Sequence, residues 1–325
     1  MAQQVLSLFT RDLQRVLFPD NSILDVFPVE QGAIAINGTV GTVVRPQAGE
    51  FVGGSYVNPT YPLTADLVTD DVLNYSLGYH VSKPTLIADI ESYTLNYDKR
   101  AHIIDQHAQT LRNAMIGKAL FSFGVTGATK IVRTTGAARP ASAPSVTGTR
   151  LSLTENDIVS AYELYTKENT DDEIAPNGYG SARALLIPQS MYIDIIKIKD
   201  FISYEKIGVP SQFTKFKPIG TLYGFPIYMR STFAVYNNGT TTACVAKDYD
   251  PATRTTLAAA ITDNEAAYMM NLNTVVVAKE PTTFRFDSQE ATVLNGGIYY
   301  NAKGFFGSSF KRTDKKGVVA IVQVA

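Results

Sequence analysis

Leu95-Asn96-Tyr97-Asp98-Lys99-Arg100 opens a stretch that continues as AHIIDQHAQTLRNAMIGKALFSF from Ala101 to Phe123. Ile104, Ala108, Leu111, Met115 and Ala119 recur at helical spacing, and Ile103, Ala114 and Leu120 widen the stripe. Arg100, Gln106, Gln109, Arg112 and Lys118 fall on the other side. A helix of about 25 residues is roughly 38 Å long, more than most globular helices need. Gly124 and Gly127 are expected to stop it.

Upstream, residues 32–90 change character. Gly32 to Val44 alternates around an Asn37-Gly38 turn signal, and Val72 to Val81 returns as a strand with Leu73, Tyr75, Leu77 and Tyr79 on one face. Between them runs a loop holding Pro46, Gly49, Gly53, Gly54, Pro59 and Pro62. The whole predicts a long two-stranded excursion. A lone hairpin is marginal in water, so this one is expected either to pack on another chain or to form a self-packed β subdomain. Its charge fits a partner: Arg45 and Lys83 face Glu50, Asp66, Asp70, Asp71, Asp89 and Glu91, a net −4 across 45–91. Before it, Val5, Leu6, Phe9, Leu13, Val16 and Leu17 form an amphipathic helical stripe ended by Pro19, which must dock on its own body or on a neighbour.

Composition sets the outer limits. The chain has 325 residues with 29 Lys+Arg against 30 Asp+Glu, which excludes a basic polyanion binder relying on counterion release. Only 18% is charged and 45% is apolar, so disorder is not expected. The 18 Tyr and 16 Phe, with no Trp, suggest surface meant to be covered. The opening Met1-Ala2-Gln3-Gln4-Val5 lacks the basic and apolar regions of a secretory leader, so folding in a cytoplasm is expected, with no membrane partner. The single Cys244 reads as a small buried hydrophobe.

Beyond the long helix, 124–153 is rich in Thr, Gly, Ala, Ser and Pro and reads as a linker and domain boundary. Thr154-Glu155-Asn156-Asp157 resembles a capping box that opens a helix. Ala182 to Ile187 reads as a buried strand, with Pro188 starting a helix that runs to Lys197. Thr221 to Arg230 gives a turn and strand. Thr262-Asp263-Asn264-Glu265 is expected to cap a short helix holding Ala267, Tyr268 and Met269. The end is strand-rich, closing with Val318 to Val322, and 303–316 carries Lys303, Lys311, Arg312, Lys315 and Lys316 against Asp314, net +4. Strands and helices mix without βαβ repetition, which makes the fold class α+β.

A search for chemistry finds no active site. His102 and His107 are five residues apart, not at the i, i+4 spacing of a helical metal pair, and His80 is distant in sequence. Gly53-Gly54 and Gly296-Gly297 match neither dinucleotide nor P-loop patterns, and no GxSxG elbow occurs. Catalytic, cofactor-binding and metal residues are therefore expected to be none.

The order of parts resembles the major capsid proteins of tailed bacteriophages. Leu95-Asn96-Tyr97-Asp98-Lys99-Arg100 and the helix after it look like that family's entry into its spine helix. Ala184-Leu-Leu-Ile-Pro188-Gln-Ser-Met-Tyr192, then Gly220-Thr-Leu-Tyr-Gly224-Phe-Pro-Ile-Tyr228, resemble its apical strand, helix and return strand. Gly307-Ser-Ser-Phe-Lys-Arg312-Thr-Asp-Lys-Lys-Gly317 resembles its closing strands. The resemblance implies the phage major capsid fold: N-terminal arm 1–31, extended β-hairpin loop 32–90, spine helix of the peripheral domain 91–123, a mainly axial domain 124–280 and return strands 281–325. It implies a structural protein, not an enzyme, that self-assembles as hexamers and pentamers into an icosahedral shell around double-stranded DNA. That shell would be a virion capsid assembled in the bacterial host cytoplasm. A separate scaffold protein, a portal and decoration proteins would be partners, with no sequence-specific DNA contact and no cofactor. An encapsulin-type compartment shell shares the fold and is the alternative; a soluble enzyme with an unrecognised site is the remote one. Lys83 lies near the loop base, so no lysine crosslink is expected. The candidate inter-subunit contacts are Asp66, Asp70, Asp71, Tyr75 and Tyr79 of the loop with Lys311, Arg312, Lys315 and Lys316 of the basic segment.

Overall fold

A computed structural model describes residues 23–30, 34–37, 40–47, 71–88, 99–141, 147–168, 182–198, 202–203, 218–230, 233–237, 244–247, 263–279, 289–290, 297–300 and 302–324. A 3-10 turn, Ile23–Asp25, leads to β1 (Ile34–Asn37), β2 (Val40–Gln47), β3 (Asp71–Val81) and β4 (Thr85–Ala88). Helix α1 (Lys99–Ser122) follows, then β5 (Ile131–Arg133), β6 (Ala138–Pro140), β7 (Thr149–Leu151) and α2 (Glu155–Lys167). Next come β8 (Arg183–Pro188), α3 (Gln189–Ile195), β9 (Ile202–Ser203), β10 (Gly220–Leu222), β11 (Phe225–Arg230) and β12 (Ala234–Tyr236). The chain ends with β13 (Asn264–Asn271), β14 (Val275–Lys279), β15 (Gln289–Glu290), β16 (Gly297–Tyr300), β17 (Lys303–Phe310) and β18 (Val318–Val322).

Two sheets carry the architecture. The larger runs β5-β18-β13-β8-β11-β10-β9, with β12 also on β13; the smaller runs β1-β2-β3-β17-β14. β13 and β14 are separated only by a 3-10 turn, Leu272–Thr274, and both pair antiparallel with the β17–β18 stretch. The amides of Lys311 and Asn271 cross-bond at this kink to Thr274 O (2.7 Å) and Gly317 O (2.8 Å). One bent pair of strands therefore joins the sheets. A third, three-stranded sheet runs β15-β16-β4.

The larger sheet is buried on both faces. Ala266, Tyr268, Met270, Val318, Ala320 and Val322 pack with α1, while Ala267, Met269, Val319 and Ile321 pack with α2 and α3. Strands covered twice lose the apolar–polar alternation that marks a half-exposed strand. That is why the expected short helix after Asp263 is instead β13, all eight residues buried.

Helix α1 matches its sequence pattern: Ile104, Ala108, Leu111, Met115 and Ala119 are buried, beside Ile103, Ile116 and Leu120. Phe123 then meets Phe27 and Phe310 at ring distances of 5.1 and 6.3 Å. Gly124 ends the helix where a Cβ would lie 2.5 Å from Ala246 Cβ, a contact only glycine avoids. The capping box at Thr154 forms, with Asp157 Oδ2 accepting from Thr154 N at 2.9 Å. The Tyr223-Gly224 turn between β10 and β11 has φ of 49° and 79°, the left-handed pair of a tight hairpin.

One further expectation is corrected. The 124–153 stretch is not a plain linker: β5 lies parallel to β18 in the larger sheet, and β6 and β7 form a hairpin. Among the described tyrosines, Tyr165, Tyr236 and Tyr268 are fully buried, while Tyr75, Tyr162, Tyr192, Tyr223 and Tyr228 are part-buried and Tyr79 is exposed. Cys244 is buried as expected, 3.4 Å from an Arg133 guanidinium nitrogen. Among the described residues, no helix is long and apolar enough to cross a membrane.

Candidate functional site

The loop's two strands form a ribbon whose register places Val43 opposite Tyr75, Gly41 opposite Leu77 and Arg45 opposite Leu73. Only the last four residues of β3 continue the ladder onto β17, from Gly78–Phe306 to Val81–Lys303. Alternation splits the ribbon into two faces. On one, Val43 and Leu77 are buried with Ala278 and Phe305, and Tyr75 packs beside them. On the other, Thr42, Val44, Pro46, Val72, Asn74 and Ser76 are exposed, and none carries charge. Val44 is 49% and Val72 52% exposed, high for β-branched apolar residues on a sheet.

The closed face is fastened by Glu30. Residues 28–30 add beside β14 through Val277 N to Pro28 O and Glu30 N to Val277 O, both 2.9 Å. Glu30 Oε2 accepts from the Tyr75 hydroxyl at 3.3 Å and lies 3.5 Å from Arg45 Nη1. Burial, followed by the Glu30 charge and its hydrogen bond, pushes the Tyr75 phenol well above its ordinary pKa. Lys311 lies close enough that burial and the Arg45 charge lower its pKa against the pull of Glu30. Glu30 was invisible in the sequence: its partners lie 15 and 45 residues away, and no local pattern marks the contact.

The basic segment is a tight turn after β17. Lys315 and Gly317 take positive φ, 53° and 85°. Arg312 donates to Asp314 at 2.8 Å, Lys316 N donates to it at 3.2 Å, and Lys316 Nζ lies 4.0 Å away. Burial works against Asp314 ionising, but these bonds outweigh it and hold the carboxyl below its usual pKa. The turn is pinned to the larger sheet's flank: Lys130 Nζ donates to Lys315 O (2.8 Å) and pairs with Glu168 (2.7 Å), whose other oxygen accepts from Gly317 N (2.7 Å). Lys315 Nζ sits over the Phe310 ring at 5.6 Å.

Of the sequence candidates, Tyr75 and Tyr79 share a face, as alternation predicts, and Tyr79 stacks on Phe305 at 5.0 Å while staying 39% exposed. Tyr75 is engaged within its own chain. Lys311, Arg312, Lys315 and Lys316 gather in and beside the turn. Asp71 begins β3 opposite Gln47. Asp66 and Asp70 lie outside the described residues. Among the described residues, no three His, Cys, Asp or Glu side chains are grouped to hold a metal. His102 bonds Gln106 at 3.0 Å, and His107 is buried in α1, where desolvation lowers its pKa.

No protein-family model matches the sequence, and no curated protein does. Solved structures do match in shape. The capsid of Ralstonia phage GP4 aligns at TM-score 0.60 and 11% identity over 94% of this chain and 92% of that one. The PhiM1 mature capsid aligns at 0.55 and 11% over 94% and 87%, and the cyanophage P-SCSP1u capsid at 0.54 and 17% over 94% and 88%. The chain has the phage capsid fold. Its α+β mixture of a long helix, a ribbon and a twice-covered sheet is the capsid architecture that the resemblance implied, at identities too low for sequence alone to carry. Within that fold, the ribbon joins the start of β17, an inner strand of the smaller sheet, and the basic turn follows its end.

Proposed function

We propose that this chain is a major capsid subunit, assembling with copies of itself into an icosahedral shell around the double-stranded DNA of a tailed bacteriophage. The observation that carries this reading is the ribbon: its outward face is exposed and uncharged, with Val44 and Val72 half exposed on it, on a chain whose likeness to phage capsid subunits spans nearly its whole length. Val29, Val44, Val72, Tyr79 and Val81, all exposed, lie on the smaller sheet or beside it. A sheet face of this kind invites a partner, and a repeating shell supplies one to every copy.

In this reading the role is structural and non-catalytic. The larger sheet with α2 and α3 forms the axial unit, which then takes in β18, and the smaller sheet with α1 forms the peripheral unit. The subunits meet as hexamers and pentamers, with a separate scaffold protein, a portal and decoration proteins as further partners, and the shell forms in the host cytoplasm. Asp66, Asp70, Asp71 and Tyr79 of one copy approach Lys311, Arg312, Lys315 and Lys316 of the next, where opposite charges set register and encounter rate. The test is electron microscopy of the full chain, produced alone and together with the structural genes encoded beside it. Closed shells containing DNA are expected. A monodisperse monomer under every condition overturns the reading, and shells filled with a protein cargo reassign it to a bacterial compartment.

A further inference from the structure

The end of the larger sheet holds a concentration of buried ionisable groups that assembly does not require. Glu265, on β13, is 3% exposed, and its Oε2 meets the hydroxyl of Ser190 on α3 in a very short contact. Its Oε1 has no hydrogen-bond partner among the described residues. Ser190 is tied onward: Arg139 of β6 donates to Ser190 O at 2.6 Å and to the Asp194 carboxylate at 2.8 Å, and Asp194 also accepts from Leu153 N at 3.0 Å. Ser190 thus links three elements that are far apart in sequence: its own α3, the β6–β7 hairpin through Arg139, and β13 through Glu265.

We propose that Glu265, with Ser190, Asp194 and Arg139, forms a proton-operated fastening that holds α3 and the β6–β7 hairpin onto the central strand, closed while the carboxyl is neutral and loosened when it ionises. The surrounding charges cannot neutralise an ionised Glu265 without rearranging. Arg139 is committed to Asp194 and Ser190 O. Arg150 of β7 donates to Asp263 O at 2.8 Å, and Lys247 Nζ sits 2.5 Å from the Asp263 carboxylate. On α2, Asp157 accepts from Thr135 and Thr154. The guanidinium of Arg183, on β8, lies over the Phe225 ring at 5.4 Å. The neighbouring β12 and β18 bring no acid or lysine to this spot, and the backbone N–H of Gln323 donates to the main-chain Glu265 O at 3.0 Å.

Burial, only partly offset by the Ser190 bond, pushes the Glu265 carboxyl up to about 7. A carboxyl whose pKa is raised on folding binds its proton more tightly in the folded state. Stability is therefore fullest below the unfolded value and falls as pH rises through the folded one. An ionised, single-partnered carboxylate at this burial draws in water or a cation, and the α3 and hairpin layer must give way to admit it.

The test uses the full chain as a soluble subunit, so it does not depend on whether shells form. Thermal midpoints of wild type and Glu265→Gln are compared from about pH 5 to about pH 8, the window that brackets the raised carboxyl. Gln keeps a hydrogen-bonding partner for Ser190 but cannot ionise. Its advantage over wild type is expected to grow as pH rises towards about 7 and then to level off, and a difference that stays constant throughout overturns the proposal. Hydrogen exchange on the wild type, corrected for intrinsic rates, supplies a readout that needs no variant. Amides of 138–139, 149–151 and 189–195 are expected to open several-fold more often at the alkaline end, with β14 and β17 unchanged. No local change there also overturns it.

Discussion

The hydroxyl of Tyr75 lies 3.3 Å from Glu30 Oε2, joining the middle of the ribbon to the segment that edges β14. The Glu30 side chain is 6% exposed and also meets Arg45, so one carboxylate fastens both strands of the ribbon. Along this part of β3 the backbone ladder runs to β2 alone, while the pairing to β17 is confined to Gly78–Val81. The ribbon's inclination thus depends on side chains.

Tyr75→Phe removes a hydrogen bond to a charged acceptor, which costs about 1.5–3 kcal/mol of stability. Glu30→Gln costs more, because it also unpairs Arg45 at the same place. Urea unfolding measures both. A double mutant no worse than Glu30→Gln alone is expected, since both changes break one network.

The same contact gives an alkaline limit. The folded phenol is held above the ordinary value of 10, so between that value and the folded one the native state keeps a proton the unfolded chain has lost. Stability therefore falls as pH rises past about 10. In Tyr75→Phe that part of the fall is absent, and comparing the two pH profiles of the unfolding midpoint isolates it.

Tyr268 spans the two main layers. Its hydroxyl donates to Leu120 O at 3.1 Å. The amide of Gly124, which would bond Leu120 if the helix continued, bonds Phe121 O instead. Tyr268 thus satisfies one of the carbonyls left over at the end of α1. Tyr268→Phe leaves that buried carbonyl unpaired and is expected to cost about 1–3 kcal/mol, with faster amide exchange in the last turn of α1. An unchanged unfolding midpoint would sink this assignment.

What could be read in advance depended on whether an element shows one wet face. Helix α1 and strand β3 each do, so Ile104 to Ala119 and Tyr75 to Tyr79 declared their periods. Strand β13 shows none: Asn264 to Asn271 is buried on both faces, and its polar opening residues imitate a helix cap. β5 was hidden for another reason. It has three residues, and it is a strand only because Ala320 to Val322 lie beside it in space. The site divides the same way. Clustered charge at 311–316 was visible as composition, whereas Glu30 and Glu265 matter through partners that only the fold brings near.

The charge pattern between copies can be separated from subunit stability. Lys315 and Lys316 sit on an exposed turn whose backbone is held by Lys130, Glu168 and Asp314 through main-chain bonds. Lys315→Glu with Lys316→Glu gives up the Lys315–Phe310 and Lys316–Asp314 contacts, each partly exposed, and is expected to cost the subunit only about 1 kcal/mol. If these lysines meet Asp70 and Asp71 of a neighbour, the same change lowers shell yield most at low salt, where attraction across the interface is least screened. Asp70→Lys with Asp71→Lys is expected to fail likewise, and the combined four-fold reversal to recover part of the yield. Light scattering across a salt series reads all three. Loop-reversed protein that assembles like wild type at every salt concentration would show that the attraction lies elsewhere, leaving the uncharged ribbon face as the principal contact.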